Sequence, residues 1–159
     1  MTFAAARFVY ATALLSACAS TEPAPAEETP EQEACEHLGG SLATAVTAVD
    51  DKAPGQAPDV SKAHTKFTVT LPADASGTYA GTVRFLAPAK GQYLVVADAA
   101  VPFALLDSGG KALDPVAGAT KAACAAVAAQ AVYALDVATY RLKLGPAPKA
   151  TVSVLFEAK

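Results

Sequence analysis

The chain holds two histidines and three cysteines, and these residues carry most of the chemistry it could do. His37 lies in "ACEHLGG" and His64 in "SKAHTKF". Glu36 and Cys35 adjoin the first histidine, and His64 opens an early strand pattern. Imidazole and carboxylate together suit Zn²⁺ or Cu²⁺, so Glu36, His37 and His64 form the candidate metal set. Their spacing matches no metal motif, and the commoner fate of such histidines is an exposed polar position at the start of a strand. Whether the two imidazoles meet in the fold is the discriminating observation.

Other chemistry is poorly supplied. Ser108 sits in "DSGGK", which lacks the Gly-x-Ser-x-Gly elbow of a hydrolase nucleophile and reads as a hairpin turn. Asp50, Asp51 and Asp59 do not follow the EF-hand pattern and read as a solvated loop. Phosphate-loop and dinucleotide glycine patterns are missing. Trp is absent, and Tyr79, Tyr93, Tyr133 and Tyr140 fall in strand alternations that bury aromatic rings, which leaves no stacking platform for a sugar. The expectation is a chain that is not an enzyme.

The elements that position these residues begin after a distinctive front end. Residues 1–17, "MTFAAARFVYATALLSA", put Arg7 ahead of a short apolar run from Phe8 to Ala17. About ten residues cannot cross a hydrocarbon core that needs roughly 20, whereas they fit a secretory signal. Leu15-Ser16-Ala17-Cys18 resembles the lipobox of bacterial lipoproteins. That resemblance implies diacylglycerol on the Cys18 sulfur, cleavage before Cys18 and further acyl chains. Two or three chains, at about 0.8 kcal/mol per buried methylene, make a lasting anchor. Ala19, in place of Asp, implies the outer membrane of a Gram-negative bacterium. Residues 18–34 carry five Glu and three Pro with no basic residue, the composition of an extended acidic tether.

Residues 35–159 then form one domain. The chain has 12 Lys+Arg and 15 Asp+Glu, net −3. Setting aside Arg7 and the tether's five Glu leaves 11 basic against 10 acidic residues in this body. With no basic excess to neutralise phosphates, nucleic acid is excluded as an expected partner. With Cys18 acylated, Cys35 and Cys124 remain, and an oxidising compartment predicts a disulfide between them.

From residue 41 the pattern is alternation. "HTKFTVTL" puts Phe67, Val69 and Leu71 on one face, and "TYRLKLGP" does the same with Tyr140, Leu142 and Leu144. Further runs are "SLATAVTAV", "GTVRFLAP", "GQYLVVAD", "VPFALLD", "AVYALDV" and "TVSVLFE", divided by Pro/Gly/Ser turns. Eight or nine short strands predict an all-β fold, a single antiparallel β-sandwich of jelly-roll or Ig-like type. The alanine-rich segment 120–135 has helical propensity, yet Val132, Tyr133 and Leu135 favour two strands, near 122–128 and 131–136. Residues 35–40 read as a turn closed by Gly39-Gly40.

"FLAPAKGQYLVVADAAVPFALLDSGG" and "YALDVATYRLKLGP" resemble the small bacterial β-sandwich modules of the pre-peptidase C-terminal type, over residues 64–157. The resemblance implies a fold and no active site. Taken together, these readings predict a lipid-anchored cell-envelope protein that serves as a noncatalytic binding or structural module for an envelope protein or peptide. The alternative is a periplasm-facing metal-binding protein that uses His37, His64 and Glu36.

Overall fold

A computed structural model describes residues 28–50, 54–117 and 124–159. Cys18, the signal and most of the tether lie outside the described residues. The fold is an all-β sandwich, as the alternation predicts. Its elements are α1 (Pro30–Gly39), β1 (Thr44–Thr47), β2 (Phe67–Thr70), β3 (Tyr79–Leu86), β4 (Gly91–Ala97), β5 (Phe103–Leu106), β6 (Ala129–Leu135), β7 (Thr139–Ala147) and β8 (Thr151–Ala158).

Two sheets face each other. One has the strand order β1-β2-β8-β4-β6 and the other β3-β7-β5. The inward residues of each strand alternate with outward ones, so Val69, Val95 and Val154 of the first sheet meet Val83, Leu142 and Leu144 of the second in one core. Phe85 stacks on Phe156 across this core, with ring centroids 3.9 Å apart, and meets Tyr93 edge-on at 5.4 Å.

One pairing departs from the expected antiparallel arrangement: β1 runs parallel to β2, with Val46 opposite Val69. A parallel pair needs a long crossover, and residues 48–66 supply it. That segment leaves the first sheet and bridges to β3 at Val49–Thr82 and Asp59–Arg84. Hydrogen bonds from Val60 N to Arg84 O (2.9 Å) and from Leu86 N to Ser61 Oγ (2.6 Å) pin its return. His64 lies near the end of the crossover, three residues ahead of β2.

The second departure is α1. Residues 30–34, expected in the tether, and 35–39, expected as a turn, form one helix. Thr29 caps it: Gln32 N donates to Thr29 Oγ1 and Thr29 N donates to Gln32 Oε1, with Pro30 in the first turn. This reciprocal capping box satisfies two amide donors that would otherwise go unpaired. At the other end, Gly40 N donates to Glu36 O and His37 O.

A ten-residue helix is marginal alone; tertiary contacts hold this one. Ala34 and Leu38 pack on Leu94, Val96, Val132 and Leu155, the outward residues of the five-stranded sheet. A Cys35–Cys124 disulfide ties the helix down, its Cα atoms 6.0 Å apart, as the cysteine count predicts. Lys159 pairs with Glu31, and Lys66 Nζ donates to Leu38 O and Gly40 O at the helix end. With α1 covering the outer face, β4 is buried on both sides from Tyr93 to Ala97.

Residues 129–135 form β6, in place of the expected strand at 131–136. Of the expected strand at 122–128, residues 124–128 form turns and bends and the rest lie outside the described residues. The alanines of β6 fit because Ala131 fills a position between the two sheets where a small side chain suffices. Among the described residues, no helix is long and apolar enough to cross a membrane.

Candidate metal centre

Three separate elements converge where α1 ends. His37 lies in the last turn of α1, His64 near the end of the crossover, and Glu157 on β8. Their ligand atoms all lie within 4.8 Å of one another. The two imidazole centroids are 5.4 Å apart, tilted by 47°. His64 Nδ1 stands 3.1 Å from Glu157 Oε2 and 4.0 Å from Glu33 Oε2.

Each member is placed for a physical reason. His37 is held because α1 is clamped by the disulfide and by the Lys66 contacts to its last carbonyls. His64 adopts φ 51°, the left-handed region, where it is the only non-glycine residue among those described. Such a conformation costs on the order of 1 kcal/mol and persists only when its surroundings impose it. Here the pinned crossover on one side and β2 on the other impose it. Glu157 faces outward from β8, opposite Leu94 and two residues from Leu155, and is buried because the helix layer covers that face.

Glu157 is 2% exposed, and its Oε1 has no hydrogen-bond partner among the described residues. An uncompensated buried carboxylate is costly. Burial pushes its pKa up, the charge on nearby Glu33 adds to that, and His64 and His37 oppose it. A dry carboxylate with one oxygen unpaired among the described residues and two imidazoles at hand could serve as a metal ligand. Neighbouring donors on a tetrahedral zinc are separated by roughly 3.4 Å. His64, with its side chain 55% exposed, is the least buried of the three.

His37 and His64 open onto a cavity of about 530 Å³ that Glu36, Ser41, Thr44, Lys62 and Lys66 also line. Of the set expected from sequence, the fold therefore brings His37 and His64 together. Glu36 lines the same cavity but stands outside the three-donor group, and Glu157 takes the carboxylate place. Sequence reasoning missed Glu157 because a glutamate closing a strand reads as solvent-facing until a helix covers it.

The remaining candidates sit in ordinary structural roles. Ser108 lies in the turn after β5, where Asp107 N donates to Lys111 O (2.9 Å) and Gly110 takes φ 86°. Asp59 pairs with Arg84 at 3.0 Å; Asp51 lies outside the described residues. Tyr93, Tyr133 and Tyr140 are buried. The hydroxyls of Tyr93 and Tyr140 donate to Ala89 O (2.8 Å) and Asp136 O (3.1 Å).

No protein-family model and no curated protein matches the chain.

Proposed function

We propose that the chain is a lipid-anchored envelope protein whose β-sandwich is a noncatalytic module that binds a divalent transition metal, Zn²⁺ or Cu²⁺, through His37, His64 and Glu157. The observation that carries this reading is the buried Glu157 carboxylate, one oxygen unpaired, with both histidines of the chain beside it. Imidazole and carboxylate donors suit these ions. An ion would also neutralise a buried charge that the protein otherwise leaves with one exposed partner.

The anchor and address rest on the lipobox resemblance at Leu15-Ser16-Ala17-Cys18. A protein held to the membrane by acyl chains on Cys18 would present the site to the periplasm. The test is equilibrium dialysis of the purified protein against zinc, with the bound metal counted. One ion per chain is expected, with affinity falling on His37→Ala or on Glu157→Gln by more than the roughly 10- to 100-fold that loss of an outer-shell partner costs. Retention of wild-type affinity by both variants contradicts the assignment.

A further inference from the structure

The cavity touches two members of the trio and not the third. His37 and His64 line it, whereas Glu157 lies behind them, closed off from solvent. An ion shared by the three would have protein donors on its buried side and the cavity on the other. Three protein donors leave a position to fill, as in open zinc sites.

The cavity is large enough to fill that position with more than a water. Its volume of about 530 Å³ compares with roughly 30 Å³ per water in the liquid. Charge narrows the choice of occupant. Lys62 and Lys66 outnumber Glu36 along the walls, and the two positive charges of an ion match the two negative charges of Glu157 and Glu33. The loaded site is therefore net positive with neutral imidazoles. Lys66 already donates to Leu38 O and Gly40 O. Lys62, on the exposed turn before His64, is the ammonium placed for a ligand. Ser41 and Thr44 add hydroxyl groups to the wall.

We infer that the metal held by His37, His64 and Glu157 keeps a coordination position open to this cavity, and that the position takes a small oxyanion, a carboxylate or a phosphate, with Lys62 beside it. This rests on the metal reading above. One oxygen of the anion would complete the ion's coordination, and another would accept from the Lys62 ammonium, a charge-assisted contact.

Co²⁺ serves as the probe, because its visible absorption reports changes in coordination. The Co²⁺-loaded full chain is titrated separately with inorganic phosphate and with acetate, and the titrations are repeated on Lys62→Gln. At least one anion is expected to change the spectrum saturably. Lys62→Gln is expected to weaken that anion about two- to fivefold while leaving Co²⁺ affinity as in the wild type. The anion that saturates at lower concentration distinguishes a phosphate ligand from a carboxylate one. Tight Co²⁺ binding with a spectrum indifferent to both anions would overturn this inference alone, as would saturation unchanged by Lys62→Gln. Failure to bind Co²⁺ would overturn the metal reading itself.

Discussion

Glu157 Oε2 lies 3.1 Å from His64 Nδ1, and the two side chains differ sharply in exposure: 2% for the glutamate against 55% for the histidine. A surface imidazole is a weak partner for a buried carboxylate, since solvent screens one side of the pair. The protein thus holds Glu157 at a cost to stability.

Glu157→Gln should separate stability from binding. Without metal, removing a poorly compensated buried charge is expected to leave stability within about 1 kcal/mol of the wild type or to raise it. With zinc at about 100 times its dissociation constant, the wild type should gain about 2.7 kcal/mol and the variant far less. Urea unfolding with chelator and with zinc measures both. The pH dependence has a definite sign. Burial raises the folded pKa of Glu157 above its ordinary value of 4.5, so the metal-free folded state binds more protons than the unfolded one between those two values. The Glu157 penalty is therefore absent below pH 4.5 and appears as pH rises through the raised pKa.

Asp74 should behave in the opposite sense. In the loop before β3 its carboxylate accepts from Ser76 N (2.8 Å), Ser76 Oγ (2.6 Å), Thr78 N (3.0 Å) and Thr78 Oγ1 (2.7 Å). The Ser76 and then the Thr78 hydrogen bonds lower its pKa from 3.8 to about 2. The stabilisation is complete above 3.8 and is lost as pH falls through 2. Carboxyl NMR titration should place Asp74 near 2, and Asp74→Asn should remove that component of the acid-stability profile. A titration near 3.8 would show that the turn is not formed.

The Cys35–Cys124 disulfide closes a loop with sequence separation 89 and holds the helix that carries His37. Cys35→Ser with Cys124→Ser is expected to cost about 2–4 kcal/mol of stability and to weaken zinc binding several-fold, because His37 loses its fixed position. Reduction of the wild type followed by alkylation of both thiols and removal of the reductant should weaken zinc to the same degree. Equal affinity in oxidised and in reduced, alkylated protein would show that α1 keeps its place without the disulfide.

Thr29→Ala removes the helix cap and should cost about 1 kcal/mol, read by thermal unfolding. Cys18→Ala tests the anchor: the variant should move from the membrane pellet to the soluble fraction. Quantitative pelleting of the variant would contradict acylation.

The strands were legible because their inner faces alternate: Phe67 with Val69, and Tyr140 with Leu142 and Leu144, are buried as the period-two pattern requires. The parallel β1–β2 pair was not, since register depends on where the crossover 48–66 returns, and that is fixed by contacts with β3. The helix was hidden by composition. Its Glu and Pro residues suit a solvated tether, yet Thr29-Pro30-Glu31-Gln32 has the capping-box pattern with proline in the first turn, a signal open to reading. The histidine pair was half legible, because a Cys35–Cys124 bond constrains where His37 can lie. Glu157 was out of reach until α1 was known to cover β8.

The most direct measurement is anomalous diffraction from a crystal of the protein grown with zinc, recorded on both sides of the zinc edge. Metal coordination by the trio requires one strong peak per chain, about 2.0–2.2 Å from an imidazole nitrogen of His37, one of His64 and a carboxylate oxygen of Glu157. Zinc bound elsewhere, or a trio unchanged from its metal-free positions with no peak between the three side chains, would contradict it.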